Sequence, residues 1–273
     1  MLTIGPRGRA ALVIVVLGLA LSALPFALGE RAALAQAPQS GSSPTAAAET
    51  AKDPAVLAVV SRMCDRLRAA KTFTVRGQAS LELPTAGGEL ATFFNDFDVA
   101  VRRPNGLAAH RMGDLPELRF VFDGKAMTVH VPGTRKWGTT SAPATVDAML
   151  PAAGEQGDLN MSFDELLVAD PYAAVTAGIT AAVHAGQAII KGKKVEHLVL
   201  KSAQIRVEYW IDPDTALPAR SLVVYVDHPL QPHFAVEFAE WKLDAKLPDA
   251  TFTLPKPQDA TEINFRDAAA AFR

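Results

Sequence analysis

The chain is poor in the residues that staple, ligate or strongly charge a protein. One cysteine, Cys64, among 273 residues excludes an internal disulfide and leaves no thiolate set for zinc or an iron–sulfur cluster. Lys and Arg number 27 against 29 Asp and Glu, a net charge of -2. That balance is wrong for a general nucleic-acid binder, which needs a basic surface. Long apolar runs are scarce as well: beyond one near the start, no stretch is long enough to cross a bilayer as a helix. No G-x-S-x-G elbow, H-E-x-x-H, P-loop or strand-led G-x-G-x-x-G is present. No catalytic residue, metal ligand set or cofactor is implied, and the expectation is a protein that is not an enzyme. With 49% apolar and 21% charged residues, the chain has enough material for a packed core.

The exceptional apolar run sits where an export signal would. Arg7 and Arg9 precede a stretch from Ala10 to Leu28 that Pro25 interrupts, and Ala33-Leu34-Ala35 offers small residues at a signal-peptidase site. Residues 1–35 therefore read as a signal peptide and the mature protein as periplasmic. An uncleaved anchor is the competing reading, and Pro25, Glu30-Arg31 and the A-x-A site weigh against it. Residues 36–52, rich in Ala, Ser, Pro and Gly, read as a flexible linker.

A β-rich domain over residues 53–265 follows. Asp53-Pro54 has the form of a helix start, and Val56, Val60, Met63 and Leu67 recur at helical spacing with Cys64 beside them. Thr72–Leu83 alternates apolar and polar residues cleanly, and Leu90–Arg103 returns as its partner. Shorter alternating runs follow to Thr140, divided by Pro104-Asn105-Gly106, Asp123-Gly124 and Pro132-Gly133. Thr145–Ala185 reads as helices and loops, with Ser162 and Glu165 at capping-box spacing. Strands resume from Gln187 to Trp241, and a short extended piece spans Ala260–Phe265. The total is about ten or eleven strands, and residues 266–273 read as a tail. A meander this long must curl, split or close. The fold expected is mainly β (α+β): a curled antiparallel sheet forming an open, half-closed barrel, with helices as a lid over its concave face.

Phe73, Val75, Leu81, Phe93, Phe97, Phe120, Phe122, Met127 and Val129 share the face that would point into that concavity, and Tyr209, Phe234 and Phe238 join them from the second half. These are the candidate ligand-binding residues. Such positions are ordinary core unless the sheet is underfilled. Asp96 and Asp98 share parity and belong on a solvated face. Of Arg76, Arg102, Arg103 and Arg111, most are expected to point outward, one at a cavity mouth being able to meet a lipid phosphate. His197 reads as a strand residue with a satisfied ring, and His228 and His233 as turn residues.

The order of elements resembles the periplasmic lipoprotein-carrier fold of LolA, LolB and LppX. Phe122-Asp123-Gly124-Lys125, His197-Leu198 followed by Trp210-Ile211, Leu217-Pro218-Ala219-Arg220, and the closing Phe252, Pro255 and Ile263-Asn264-Phe265 are similar to an uncharacterised family of predicted periplasmic proteins placed in that superfamily. The resemblance implies a soluble binding protein that holds a lipid, a lipoprotein acyl chain or another hydrophobic ligand without catalysis. Its partners would be that ligand and a membrane or lipoprotein, with no nucleic acid. The alternative it implies is a regulatory module that binds a protein such as an anti-sigma factor.

Overall fold

The computed structural model describes residues 52–161 and 163–271. Residues 1–51, read above as a signal peptide and all of a linker but Lys52, lie outside them. Helix α1, Pro54–Ala69, opens the domain. Asp53 caps it by accepting from the Ala55 amide at 2.8 Å, and Pro54 fills the first turn. Its stripe of Val56, Val60, Met63, Cys64 and Leu67 is buried.

Twelve strands then form one sheet. The first six are β1 Thr72–Pro84, β2 Leu90–Arg102, β3 Gly106–Gly113, β4 Leu118–Phe122, β5 Ala126–Val131 and β6 Lys136–Ser141. Helices α2 (Val146–Gly157) and α3 (Pro171–Thr176) come next, with a single 3-10 turn, Asp164–Leu166, between them. The second set is β7 Ala181–Ile190, β8 Lys193–Lys201, β9 Ile205–Asp212, β10 Leu217–Tyr225 and β11 His233–Leu243, and β12 (Thr261–Glu262) and α4 (Phe265–Ala270) close the chain. The spatial order is β12-β6-β5-β4-β3-β2-β1-β11-β10-β9-β8-β7. All neighbours are antiparallel except β12 beside β6. Sequential neighbours thus meander in two runs, which β1 and β11 join at the centre.

Three expectations are corrected. The sheet is open, with β12 and β7 as its edges, and is not the half-closed barrel expected. Its apolar face is satisfied by helices: residues of α1, α2, α3 and α4 share one buried cluster with the strands. The segment read as helices and loops up to Ala185 is strand from Ala181. A register shift between His184 and Gly186, with Gly186 at φ 115°, breaks the alternation that would have marked it. The presumed tail contains α4, whose Phe265, Ala268 and Ala269 are buried.

Alternation places the two faces as expected on the long hairpin. Val75, Val99 and Val101 are buried, whereas Arg76, Asp96 and Asp98 are exposed. Gly77 lets the central strands meet: a Cβ there would lie 2.1 Å from the Glu237 carbonyl oxygen and 3.0 Å from the Phe97 ring.

Candidate functional site

The register sorts the twelve candidate residues into rows on the helix-covered face. Phe122 opposes Leu107 and Met127, and Phe120 opposes Ala109 and Val129. Phe97 and Phe238 both oppose Gly77. Beyond Ala79 comes a row in which Phe93, Leu81 and Phe234 lie side by side on β2, β1 and β11. Phe73, Val75, Phe97, Phe120, Phe122, Met127, Val129, Tyr209 and Phe238 are buried in the common core. Phe163, from the segment between α2 and α3, sits with its ring 5.1 Å from that of Phe97 and 5.7 Å from that of Phe238. The middle of the face is therefore filled by the protein's own side chains. Leu81, Phe93 and Phe234 differ: they are half-buried, and Leu81 and Phe93 stand outside the packed cluster. They form an apolar rim at the end of the three central strands.

The segment 163–168 is fastened to this face by polar groups. The Arg103 guanidinium donates to the carbonyls of Leu67 and Ala70 at the end of α1, at 2.7 and 2.9 Å, and to those of Leu166 and Leu167, at 3.2 and 3.0 Å. One planar fork thus satisfies carbonyls that α1 and the 3-10 turn leave unpaired. It lies over the Phe73 ring at 5.0 Å. Burial lowers its pKa to about 10, so it stays a cation at neutral pH. The second fastening is the Tyr209 hydroxyl, which donates to Glu165 Oε1 at 2.6 Å.

Sequence reasoning gave Glu165 to a capping box. Ser162 lies outside the described residues, and the 3-10 turn starts from Phe163 with no side-chain cap. Glu165 instead faces the sheet. Burial, then the neighbouring Asp164 charge, raises its carboxyl to about 7 against the hydrogen bond from Tyr209. Burial likewise raises Asp164 to about 6. Tyr209 is pushed well above its ordinary range by burial and then by Glu165, and Tyr225 moves the same way for the same causes. Two carboxylates and two phenols thus form an acidic island at the edge of an apolar core.

Of the four arginines, most of them expected to face outward, Arg76 does, pairing with Asp98 and Glu240, and Arg102 lies over the Phe252 ring and pairs with Asp249. Arg103 turns inward. Arg111 opposes Phe97 and Leu118 and so shares the core face with Leu107 and Ala109. Asn95, in register with Ala79 and Gly113, is also on this face and only 2% exposed. Both were legible from parity, Asn95 from Phe93 and Phe97, Arg111 from Leu107.

On the opposite face His197 stacks on Trp210 with ring centroids 4.2 Å apart and meets Glu208 at 2.8 Å, the satisfied ring expected of it. A depression of about 380 Å³ on that face is lined by Arg76, Gln78, Asp96, Asp98, Lys191 and Glu237, among others. Its charges suit no acyl chain. His228 Nδ1 accepts from the Leu230 amide within its turn. Among the described residues, no group of three or more His, Cys, Asp or Glu is placed to hold a metal ion, and no helix is long and apolar enough to cross a membrane.

Residues 57–266 match the family described as "Predicted periplasmic protein (DUF2092)". No curated protein matches. Among solved structures, the chain is similar to lipoprotein LppX of Mycobacterium tuberculosis, at 14% identity and a TM-score of 0.45 over 70% of this chain and 96% of that one. It is similar to LprF from Mycobacterium bovis at 11% identity and a TM-score of 0.43, over 77% of this chain and 100% of that one. A putative outer membrane lipoprotein-sorting protein domain from Vibrio parahaemolyticus shows 11% identity and a TM-score of 0.35, over 72% and 96%.

Proposed function

The chain belongs to the DUF2092 family of predicted periplasmic proteins, and we propose that it works there as a binding protein for a lipid, a lipoprotein acyl chain or another hydrophobic ligand. The ligand lies on the helix-covered face of the sheet and no bond is made or broken. The observation that carries this reading is the rim: Leu81 and Phe93, beside Phe234 at the cluster's edge, continue the apolar rows of the core past the point where the core cluster ends. An acyl chain laid along it and inward toward Phe97 and Phe238 would bury on the order of 300 Å² of apolar surface. At about 25 cal/mol per Å² that is roughly 7 kcal/mol before the costs of association, enough for useful affinity only if the chain goes deeper than the rim.

Deeper entry requires the segment 163–168 to move, and its construction favours that. The turn Asp164–Leu166 and the six-residue α3 are too short to be stable alone. The turn is held by the Arg103 fork, the Tyr209–Glu165 bond and the burial of Phe163, Leu166 and Leu167, and α3 by the burial of Val175; none of these contacts is part of the sheet's own ladder. Phe163 is then the side chain that leaves the space between Phe97 and Phe238 as the ligand enters.

The test is native mass spectrometry of the mature protein purified without detergent, followed by organic extraction. A co-purifying lipid at one per chain, or uptake of palmitate offered in solution, is the expected result. A bare mass with no uptake of any offered amphiphile refutes the reading and favours a protein-binding module with a filled core.

A further inference from the structure

We propose that Asn95 and Arg111 form a head-group subsite at the rim, selecting amphiphiles whose acyl chain ends in an anionic oxygen group, a carboxylate or a phosphate. The proposal rests on the hydrophobic-ligand reading and adds the chemistry that orients the ligand.

Asn95 carries the argument. It lies on β2 between Phe93 and Phe97, opposite Ala79, in an apolar stretch of the core face. Its Oδ1 accepts from the Leu115 amide at 3.1 Å, which fixes the orientation of the amide: a flipped side chain would set one N–H against another. Its Nδ2, with less than 1 Å² accessible, has no hydrogen-bond partner among the described residues. A buried amide donor left unpaired costs about 1–3 kcal/mol. The Leu115 amide needs only the oxygen, which a hydroxyl or carboxylate would also supply, so the donor is better explained by an acceptor that comes and goes. The flanking loop is built around this residue. Asp114 accepts from the Phe94 amide at 2.8 Å and donates its own to the Phe94 carbonyl, also at 2.8 Å. Gly113 comes so close that a Cβ there would lie 2.7 Å from the Asn95 Cα.

Arg111 supplies the charge. It sits on β3 one core-face position from Gly113, the register partner of Asn95, and itself opposes Phe97. Its guanidinium donates to the Pro116 carbonyl at 2.9 Å, in the same loop that presents the Leu115 amide. Burial depresses its pKa, the mark of a cation held in poorly solvated surroundings, where attraction to an anion is strengthened. An oxygen anion beside Asn95 would receive an amide N–H and the field of this cation, while its chain lies against Phe93 and Leu81.

The experiment compares equilibrium binding of palmitate, palmitoyl lysophosphatidate, hexadecanol and inorganic phosphate to the mature full chain. Wild type should bind both anionic amphiphiles at least tenfold tighter than hexadecanol, and phosphate alone weakly. In Asn95→Asp the acceptor for the Leu115 amide remains, but the free donor is lost and a negative charge is added. Its palmitate-to-hexadecanol affinity ratio should fall tenfold or more. Arg111→Gln should lower the same ratio at a different residue, with thermal unfolding showing that each variant is folded. Unchanged ratios in both folded variants overturn the subsite. Equal binding of hexadecanol and palmitate by wild type also overturns it, yet leaves the hydrophobic-ligand reading standing. Binding of phosphate as tight as of the amphiphiles overturns it in favour of a plain ion site. Binding of none of the four overturns both readings.

Discussion

Glu165 offers the sharpest test of how the segment over the sheet is held. Its carboxyl is displaced from the ordinary 4.5 to about 7, chiefly by burial and next by Asp164. That displacement corresponds to roughly 3 kcal/mol of preference for the protonated form. The folded protein keeps this proton where the unfolded chain releases it. The associated stability is therefore fully present below about pH 4.5 and is lost as the pH rises to about 7, above which the loss is constant. Asp164, raised to about 6, acts in the same direction. Other carboxylates behave oppositely, since Glu117 and Glu237 are lowered mainly by hydrogen bonds from His110 and Lys191. The whole-protein profile is thus a sum, and only a difference between variants isolates Glu165.

Glu165→Gln makes that difference. The amide oxygen can still accept from Tyr209, but nothing ionises. The displacement to about 7 already includes the Tyr209 bond, which lowers it, so no separate loss is subtracted. The variant escapes the burial of a carboxylate, so above pH 7 it should be more stable than wild type by about 3 kcal/mol, or about 6–12 °C in Tm. At pH 4 the two should agree within about 0.5 kcal/mol, because the side chain is then mostly neutral in the folded and the unfolded chain alike. Urea unfolding followed by fluorescence of Trp137, Trp210 and Trp241, at pH 4, 5, 6, 7 and 8, measures the gap directly. A gap that stays flat across this range, or a variant weaker than wild type at pH 8, would show that Glu165 is better solvated than its surroundings suggest and would refute the argument.

Three further outcomes follow from named contacts. Arg103→Met should cost about 3 kcal/mol, since four carbonyls lose a charged donor; Arg103→Lys should recover only a minor part, because one ammonium cannot span two segments, and chemical denaturation of both variants decides it. Gly77→Val should destabilise by about 2 kcal/mol or more through the close approach of Glu237 and Phe97; a Tm equal to wild type would mean β1 and β11 separate freely there. Cys64 is 1% exposed and its thiol is pushed up to about 12 by burial and then by the Asp65 charge. A disulfide reagent at pH 8 should therefore react with it only on unfolding, and modification of the native protein at the rate of a free thiol would contradict its placement.

The parts of the fold legible in the sequence are those where one physical signal acts alone. The hairpin of β1 and β2 is long, alternates strictly and lies at the centre of the sheet, so its limits emerge within a residue or so. Helix α1 combines a cap, a first-turn proline and a helical stripe. Signals that compete are harder to read. In β7 the alanines carry little hydrophobic contrast, and the irregularity at Gly186 shifts the register midway. In α4, Phe265 continues the apolar pattern of the extended piece before it, and only Asn264, accepting from the Asp267 amide at 2.9 Å, marks the start of a helix.

The candidate site divides along the same line. Apolar residues reach their expected face because parity and hydrophobicity agree there. Polar residues on that face are easy to misplace, because charge argues for solvent while parity argues for the core. Arg111 has the parity of Leu107 and Ala109, and the register sets it opposite Phe97 and Leu118. Asn95 has the parity of Phe93 and Phe97 and is buried despite its amide. Arg103 follows a third logic. It stands just past the end of β2, so strand parity no longer governs it, and the unpaired carbonyls at the end of α1 and around the 3-10 turn determine where its donors go. Where a polar residue keeps the parity of an apolar row, the cost of burying it must be met by a partner. Arg103 has such a partner in backbone carbonyls, Glu165 in Tyr209 and a proton. Asn95 has only half of one, and that incomplete pairing is why a ligand oxygen is assigned to it.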